Sequence, residues 1–377
     1  MKKILIIIVL VIGVWIFWAT IGRSEEWTES KSFIEQQESI TLDSSCSRHI
    51  VGIQPYMLTT DYASEKHFYE KLNTYFEAAQ EAGYFNEKTV VVLPEYLGTW
   101  LVVNGEKKSA LHATTVTNAM TIMVLSNPIK FIRSLFNGKG EKDAFAAAIF
   151  KMKATTMSAI YCNVFKTLAS KYQVAISAGS IVLPSPTIKN ENEINVDITQ
   201  PLYNCSFVFN ANGTIDPQIV KKSFLIDSEL SFLQAHPINQ LPIYNLPIGK
   251  TSVLICADSW YPESYEQLNK LMPEIVLVGS FCVGNKTMNA VWNGYNGSEN
   301  PADVEKSDLG KITEQQAWIK YAMPGRISST KTPLGVNVFL KGELWDLGAD
   351  GNPFIVREGK LQDVKSSAKA GIWNVCF

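Results

Sequence analysis

Between Lys3 and Arg23 run nineteen residues without a charge, ILIIIVLVIGVWIFWATIG. Wound as a helix at about 1.5 Å per residue, they extend roughly 28 Å, close to the thickness of a bilayer's hydrocarbon core. No water-soluble domain leaves such a segment in contact with solvent. Residues 1–23 therefore read as a transmembrane anchor, or else as a signal segment removed on export. The length of the run and the placement of Trp15 and Trp18, suited to an interfacial belt, favour retention. Lys2 and Lys3 favour a cytoplasmic N-terminus, and no second run of spanning length returns the chain. The expectation is a single-pass membrane protein with its body outside the cytoplasm, the alternative being an exported soluble one.

The whole chain contains 34 basic and 36 acidic residues, a formal net charge of -2. No basic stripe follows a phosphate backbone, so nucleic acid is excluded as a partner. Six cysteines (Cys46, Cys162, Cys205, Cys256, Cys282, Cys376) show no CxxC or metal-ligand spacing, and four histidines form no HExxH arrangement. No metal site is expected. An oxidising compartment permits disulfides, but spacing does not say which cysteines pair.

Residues 24–46 are polar and rich in Glu and Ser, which reads as a tether; residues 47–377 read as one α/β domain. HIVGIQPYM opens it as a strand, and the following segment puts Phe68, Leu72, Tyr75, Phe76 and Ala79 on one helical face, with Ser64 as N-cap and Gly83 as stop. Short β-branched runs follow, among them TVVVLPE and KTSVLICAD, and FVFNANGTID reads as a hairpin turning at Asn212 and Gly213. Residues 104–165 stand apart as a mostly helical, apolar insertion with interspersed lysines. They read as outer helices on the sheet, or as an amphipathic segment that meets the membrane or covers a site. The GKG at 138–140 lacks the pattern of a phosphate loop. Four Asn-x-Ser/Thr sites (Asn204, Asn212, Asn285, Asn296) matter only in a glycosylating host.

Three reactive side chains lie just beyond strand-like runs: Glu95, Lys222 and Cys256, separated by 127 and 34 residues. Alone, each has an ordinary reading: a solvated acid, a surface lysine, a buried thiol. Together they form a chemically complete set, because a carboxylate can take a thiol proton and an ammonium can favour a thiolate and bind an oxyanion.

At these residues the chain resembles the nitrilase superfamily of carbon-nitrogen hydrolases. The likeness runs from about Arg48 to Val356 and rests on IVGIQPYM, EAAQEAGYFNEKTVVVLPE, LASKYQVAISAGS, NCSFVFNANGTIDPQIVKKSFLIDSE and ICADSWYPE, in that order. The resemblance implies an αββα sandwich behind the apolar helix, with Glu95 as general base, Lys222 as the lysine of the triad and Cys256 as nucleophile. Lys222-Ser-Phe-Leu fits the family's lysine pattern better than Lys221, although Phe224 stands where many members have histidine. Glu229 resembles a second glutamate beside the nucleophile, or else caps a helix. Ala257 is expected to offer its N–H to an oxyanion, and Asp258 and Glu263 to hold the cysteine elbow. Trp260, Tyr261 and Cys282 are pocket candidates, or else core residues.

The implied reaction is hydrolysis of a non-peptide amide through a cysteine thioester, with no metal or organic cofactor. The partner would be an amide-bearing small molecule or a lipid-linked substrate. Acyl transfer from a lipid through the same triad is the alternative, weakened because the apolipoprotein acylating enzymes carry several membrane helices. A membrane-tethered binding protein that keeps the fold without activity is the second alternative. The resemblance also makes a homodimer one expected state.

Overall fold

The computed structural model describes residues 2–23, 30–137 and 141–377. Two six-stranded sheets stack face to face. The first runs, in spatial order, Ile34–Thr41 (β1), Ala370–Cys376 (β15), His49–Gln54 (β2), Thr89–Val92 (β3), Ala175–Ser177 (β4) and Val208–Phe209 (β7). The second runs Tyr244–Leu246 (β9), Gly249–Ile255 (β10), Ile275–Ser280 (β11), Leu334–Phe339 (β12), Phe354–Arg357 (β13) and Lys360–Leu361 (β14). A smaller antiparallel sheet of Val220–Lys221 (β8), Leu202–Ser206 (β6) and Ile181–Pro184 (β5) lies beside them.

Period-two alternation explains the layering. Val51, Val91 and Ile176 point outward to one apolar cluster with Phe68, Leu72 and Phe76 of helix Glu65–Glu81 (α2) and Tyr161 and Phe165 of helix Ala144–Tyr172 (α5). Ile50, Val90 and Val92 point inward to Val253, Val276, Val336 and Val338 of the second sheet. Helices Pro262–Leu271 (α6) and Glu314–Tyr321 (α7) add Leu268, Ala317 and Trp318 to that second cluster. The result is the expected α-β-β-α order. All five residues assigned to the inner face of α2 are fully buried, and the Ser64 hydroxyl accepts the His67 N–H at its start. The turn at Asn212 and Gly213 closes with Asn210 N–H donating to Thr214 O, but only the single bridge Phe209–Ile215 follows it.

The polar stretch expected as a tether differs over residues 34–41. These form β1, parallel to β15, with alternate residues half-buried. Ile34 and Ile40 fall on its half-buried face, enough for an edge strand, and the open edge of β15 supplies the hydrogen bonds. Residues 24–29 of that stretch lie outside the described residues, as does the GKG at 138–140. A disulfide joins Cys46 to Cys376 at the end of β15, with Cα atoms 5.0 Å apart, and Cys162, Cys205, Cys256 and Cys282 are buried free thiols.

The apolar helix Lys2–Thr20 (α1) keeps its aliphatic side chains exposed but is docked at its C-terminal end. Lys107 donates to the carbonyls of Trp18 and Ile21, the Trp15 indole donates to Leu125 O, and Arg23 pairs with buried Glu106, which Lys153 also contacts at 2.8 Å. A cation on the last carbonyls of a helix is favourably placed against its dipole. Leu125 belongs to helix Val116–Ser126 (α3); the next helix, Pro128–Phe136 (α4), exposes Ile129 by 83% and Phe136 by 76%.

Candidate active site

The parallel strands of both sheets deliver their C-terminal ends to one place. β3 runs through Leu93 and Pro94 to Glu95, and β10 runs into Cys256. The two sheets meet closely there: a Cβ at Gly279 would lie 2.7 Å from Leu93 O, and one at Gly179 2.2 Å from Pro94 O. Only glycine allows the Glu95 backbone to be gripped from both sides.

Glu95 is buried, and its Oε1 accepts hydrogen bonds from Lys222 Nζ at 2.7 Å and from Asn204 Nδ2 at 2.9 Å. Lys222 follows β8, where its own N–H donates to Asn204 O, and its ammonium also contacts Glu229 Oε2 at 2.8 Å. Glu229 accepts the Ile226 N–H through Oε2, and Asn204 Nδ2 and the Tyr96 hydroxyl through Oε1. One buried cation thus sits between two buried carboxylates, and Asn204 clamps both acids from the other side. The sequence set Glu95, Lys222 and Glu229 is brought together.

Cys256 ends β10 with φ at +45°, in the left-handed region that a non-glycine residue rarely occupies, so the elbow carries backbone strain. Its thiol lies 3.7 Å from Phe281 O and within hydrogen-bonding reach of Glu95. Asp258 holds the elbow: Oδ1 accepts the N–H groups of Ser223 and Phe224 at 2.9 and 2.8 Å, and Oδ2 that of Ile255 at 3.4 Å. One carboxylate therefore fastens the lysine loop to the cysteine turn. Ser259 and Ser264 hydroxyls donate to the carbonyls of Cys256 and Asp258. Glu263 is instead exposed in the first turn of α6, where an acid complements the helix dipole.

Electrostatics keep the proton on sulfur at rest. Burial, then the neighbouring Glu95, raise the Cys256 thiol well above its usual range, against the pull of Lys222. Burial raises Glu95 while Lys222 lowers it. Burial would lower Lys222, but Glu229 and Glu95 outweigh it and hold the amine as an ammonium. Asp258 is pushed by burial up to about 7, against its backbone hydrogen bonds. A carboxyl with a folded pKa above its unfolded value contributes stability below the unfolded value and loses it as pH rises through the folded one. Asp258→Asn is therefore expected to flatten urea-unfolding stability between pH 4 and 7, removing a decline on the order of 3 kcal/mol. Identical slopes in both proteins would overturn this assignment.

Cys256 and Ala257 lie at the floor of a cavity of about 340 Å³. Trp260, Tyr261 and Cys282 line it, as do Ile226, Phe281, Trp292, Tyr295, Glu314 and Trp318. Phe224 stacks on Tyr261, ring centroids 3.9 Å apart.

Sequence reasoning missed Asn204, Tyr96 and Glu314. Asn204, read only as a glycosylation site, is fully buried against two acids and is closed to a glycan in the folded protein. A polar residue among the apolar ones of LYNCS was the available signal. Tyr96 follows Glu95 directly, also at positive φ.

The sequence profile of the family described as carbon-nitrogen hydrolase matches residues 50–296. No curated protein matches the chain. Among solved structures, the chain is similar to the amidase from Nesterenkonia sp. AN1. A glutamate-to-glutamine variant of that amidase, with acrylamide joined by Michael addition to its active-site cysteine, aligns at TM-score 0.51 and 12% identity over 88% of this chain and 93% of that one. A cysteine-to-alanine variant aligns at 0.52 and 12% over 89% and 92%. A double variant in complex with acrylamide aligns at 0.52, 12%, and the same coverage.

Proposed function

Because the chain belongs to the carbon-nitrogen hydrolase family, we propose that it hydrolyses a non-peptide amide with Glu95, Lys222 and Cys256 as its catalytic set. The observation that carries this reading is the buried Lys222 ammonium, bound to Glu95 at 2.7 Å and Glu229 at 2.8 Å, beside a thiol at the floor of a cavity.

As the Cys256 sulfur attacks the amide carbon, its proton passes to Glu95 and a C–S bond forms. The carbonyl electrons move onto oxygen, where the Lys222 ammonium and the Ala257 N–H oppose the developing charge. Collapse breaks the C–N bond, and Glu95 returns the proton to the leaving nitrogen. Water then attacks the thioester; Glu95 takes a proton from it and restores the thiol. Glu229 keeps Lys222 charged and in place, and Asn204 fixes both acids.

If an amine rather than water met the thioester, the product would be a new amide. The exposed Ile129 and Phe136 on α4, the helix that follows the α1-contacting α3, favour keeping this acyl-transfer reading with a lipid donor. The same docking supports α1 as a retained anchor, since Arg23, Lys107 and Glu106 hold it to the domain, and the Cys46–Cys376 disulfide suits an oxidising compartment outside the cytoplasm.

The full chain in detergent, incubated with amides and phospholipid and measured by intact mass, is expected to carry an acyl adduct that Cys256→Ala lacks. The mass of the adduct identifies the donor. Reduced protein that forms no adduct and consumes no amide would overturn the reading.

A further inference from the structure

The cavity above Cys256 is walled by Trp260, Tyr261, Trp292, Tyr295 and Trp318, and among its lining side chains Glu314 alone carries a formal charge. Glu314 is the first residue of α7, after the Thr313 cap. An acid there complements a helix dipole, yet such acids ordinarily stand in solvent. This one faces inward, close enough to Cys282 on the same wall for its charge to be felt there. Among the described residues no lysine or arginine pairs with it. Burial raises its carboxyl to about 7. A half-buried carboxylate facing a cavity without a cation is costly, and such a site suits a ligand that supplies the missing charge.

Aromatic faces strengthen that requirement. Ring quadrupoles attract cations, and the lining offers no basic side chain to a carboxylate or phosphate. Resting on the amidase reading for its reaction but not for its binding, we infer that Glu314 and the aromatic wall form a subsite for a cationic group of the substrate, an ammonium distal to the scissile amide. The preferred substrate class is accordingly an amino-amide rather than an acid amide.

Two measurements on the full chain separate this from the reaction itself. Methanethiosulfonates form a mixed disulfide with the Cys256 sulfur and release methanesulfinate, the thiol proton going to solvent, without any amide chemistry. The trimethylammonioethyl reagent is expected to label Cys256 faster than the sulfonatoethyl reagent, with sites assigned by peptide mass. Glu314→Gln is expected to lower that rate ratio about tenfold. Val291→Lys, on the exposed wall of the cavity beside the Thr313 cap, is expected to lower it in the same direction while keeping the Glu314 side chain. Ratios within twofold of the parent in both variants would overturn the subsite.

In parallel, kcat/KM is compared for 5-aminopentanamide and its neutral isostere hexanamide. A preference for the cationic amide that falls about tenfold in Glu314→Gln supports the inference. If neither amide turns over and no acyl adduct forms on reduced protein while the labelling ratio still falls, the hydrolase reading is lost and the cation subsite stands. If both turn over with no change in preference, the subsite is lost and the hydrolase reading stands.

Discussion

Cys256→Ala is expected to lower kcat/KM for any amide substrate by about 10⁴-fold or more, with no shift in thermal unfolding larger than a few degrees. The magnitude follows from removing the atom that forms the covalent intermediate, since groups acting as one unit fail together when any is lost. The fold should survive, because the thiol's polar neighbours are only Phe281 O at 3.7 Å and Glu95, and the elbow is held instead by Asp258, Ser259 and Ser264. Steady-state turnover and thermal unfolding of the same preparation check both halves. A variant retaining more than a hundredth of parent activity would exclude Cys256 as nucleophile.

Lys222→Met is expected to be the most damaging single change for stability. The ammonium compensates Glu95 and Glu229, both nearly inaccessible to water, and its removal leaves two acids facing each other. Breaking a buried ion pair from one side costs about 3–5 kcal/mol. Glu95, already raised above 4.5 by burial, would rise further without its cation. Stability from such a raised carboxyl is fully present below about 4.5 and is lost as pH climbs through its folded value. The variant should therefore be more stable at pH 5 than at pH 8, by urea denaturation, and by a wider margin than the parent. Equal margins would show that Lys222 does not govern Glu95. Activity should vanish as well, but the pH signature separates charge compensation from simple loss of packing.

The parts of this arrangement legible in the sequence are those set by local pattern. TVVVLPE and SVLICAD announce doubly covered strands, and the polar residue ending each run falls where parallel strands present their sites, which is why Glu95 and Cys256 could be singled out. Lys222 follows a strand of only two residues, so its identification leaned on the family pattern rather than on periodicity. Tyr96 was not legible and Asn204 showed only as a polar residue within a strand, because their importance lies in partners 25 to 133 residues away. Glu314 was hidden for the same reason: it begins an ordinary helix, and only the folding of α7 against the second sheet brings it into the wall of the Cys256 cavity. Glu263 misled in the opposite sense, being close to Cys256 in sequence while facing solvent. The edge strand β1 reads as a tether in sequence because half of its residues face water and its composition is that of a linker.

The bond between Cys46 and Cys376 spans a separation of 330 residues and turns nearly the whole domain into a covalent ring. A protease that nicks an exposed stretch inside the ring, such as 298–300, cuts the backbone without parting the pieces. Both fragments stay tied through sulfur, and β1, lying alongside β15, keeps them in register. Shedding of the catalytic body from α1 would then need a cut before Cys46, or a cut together with a reductant.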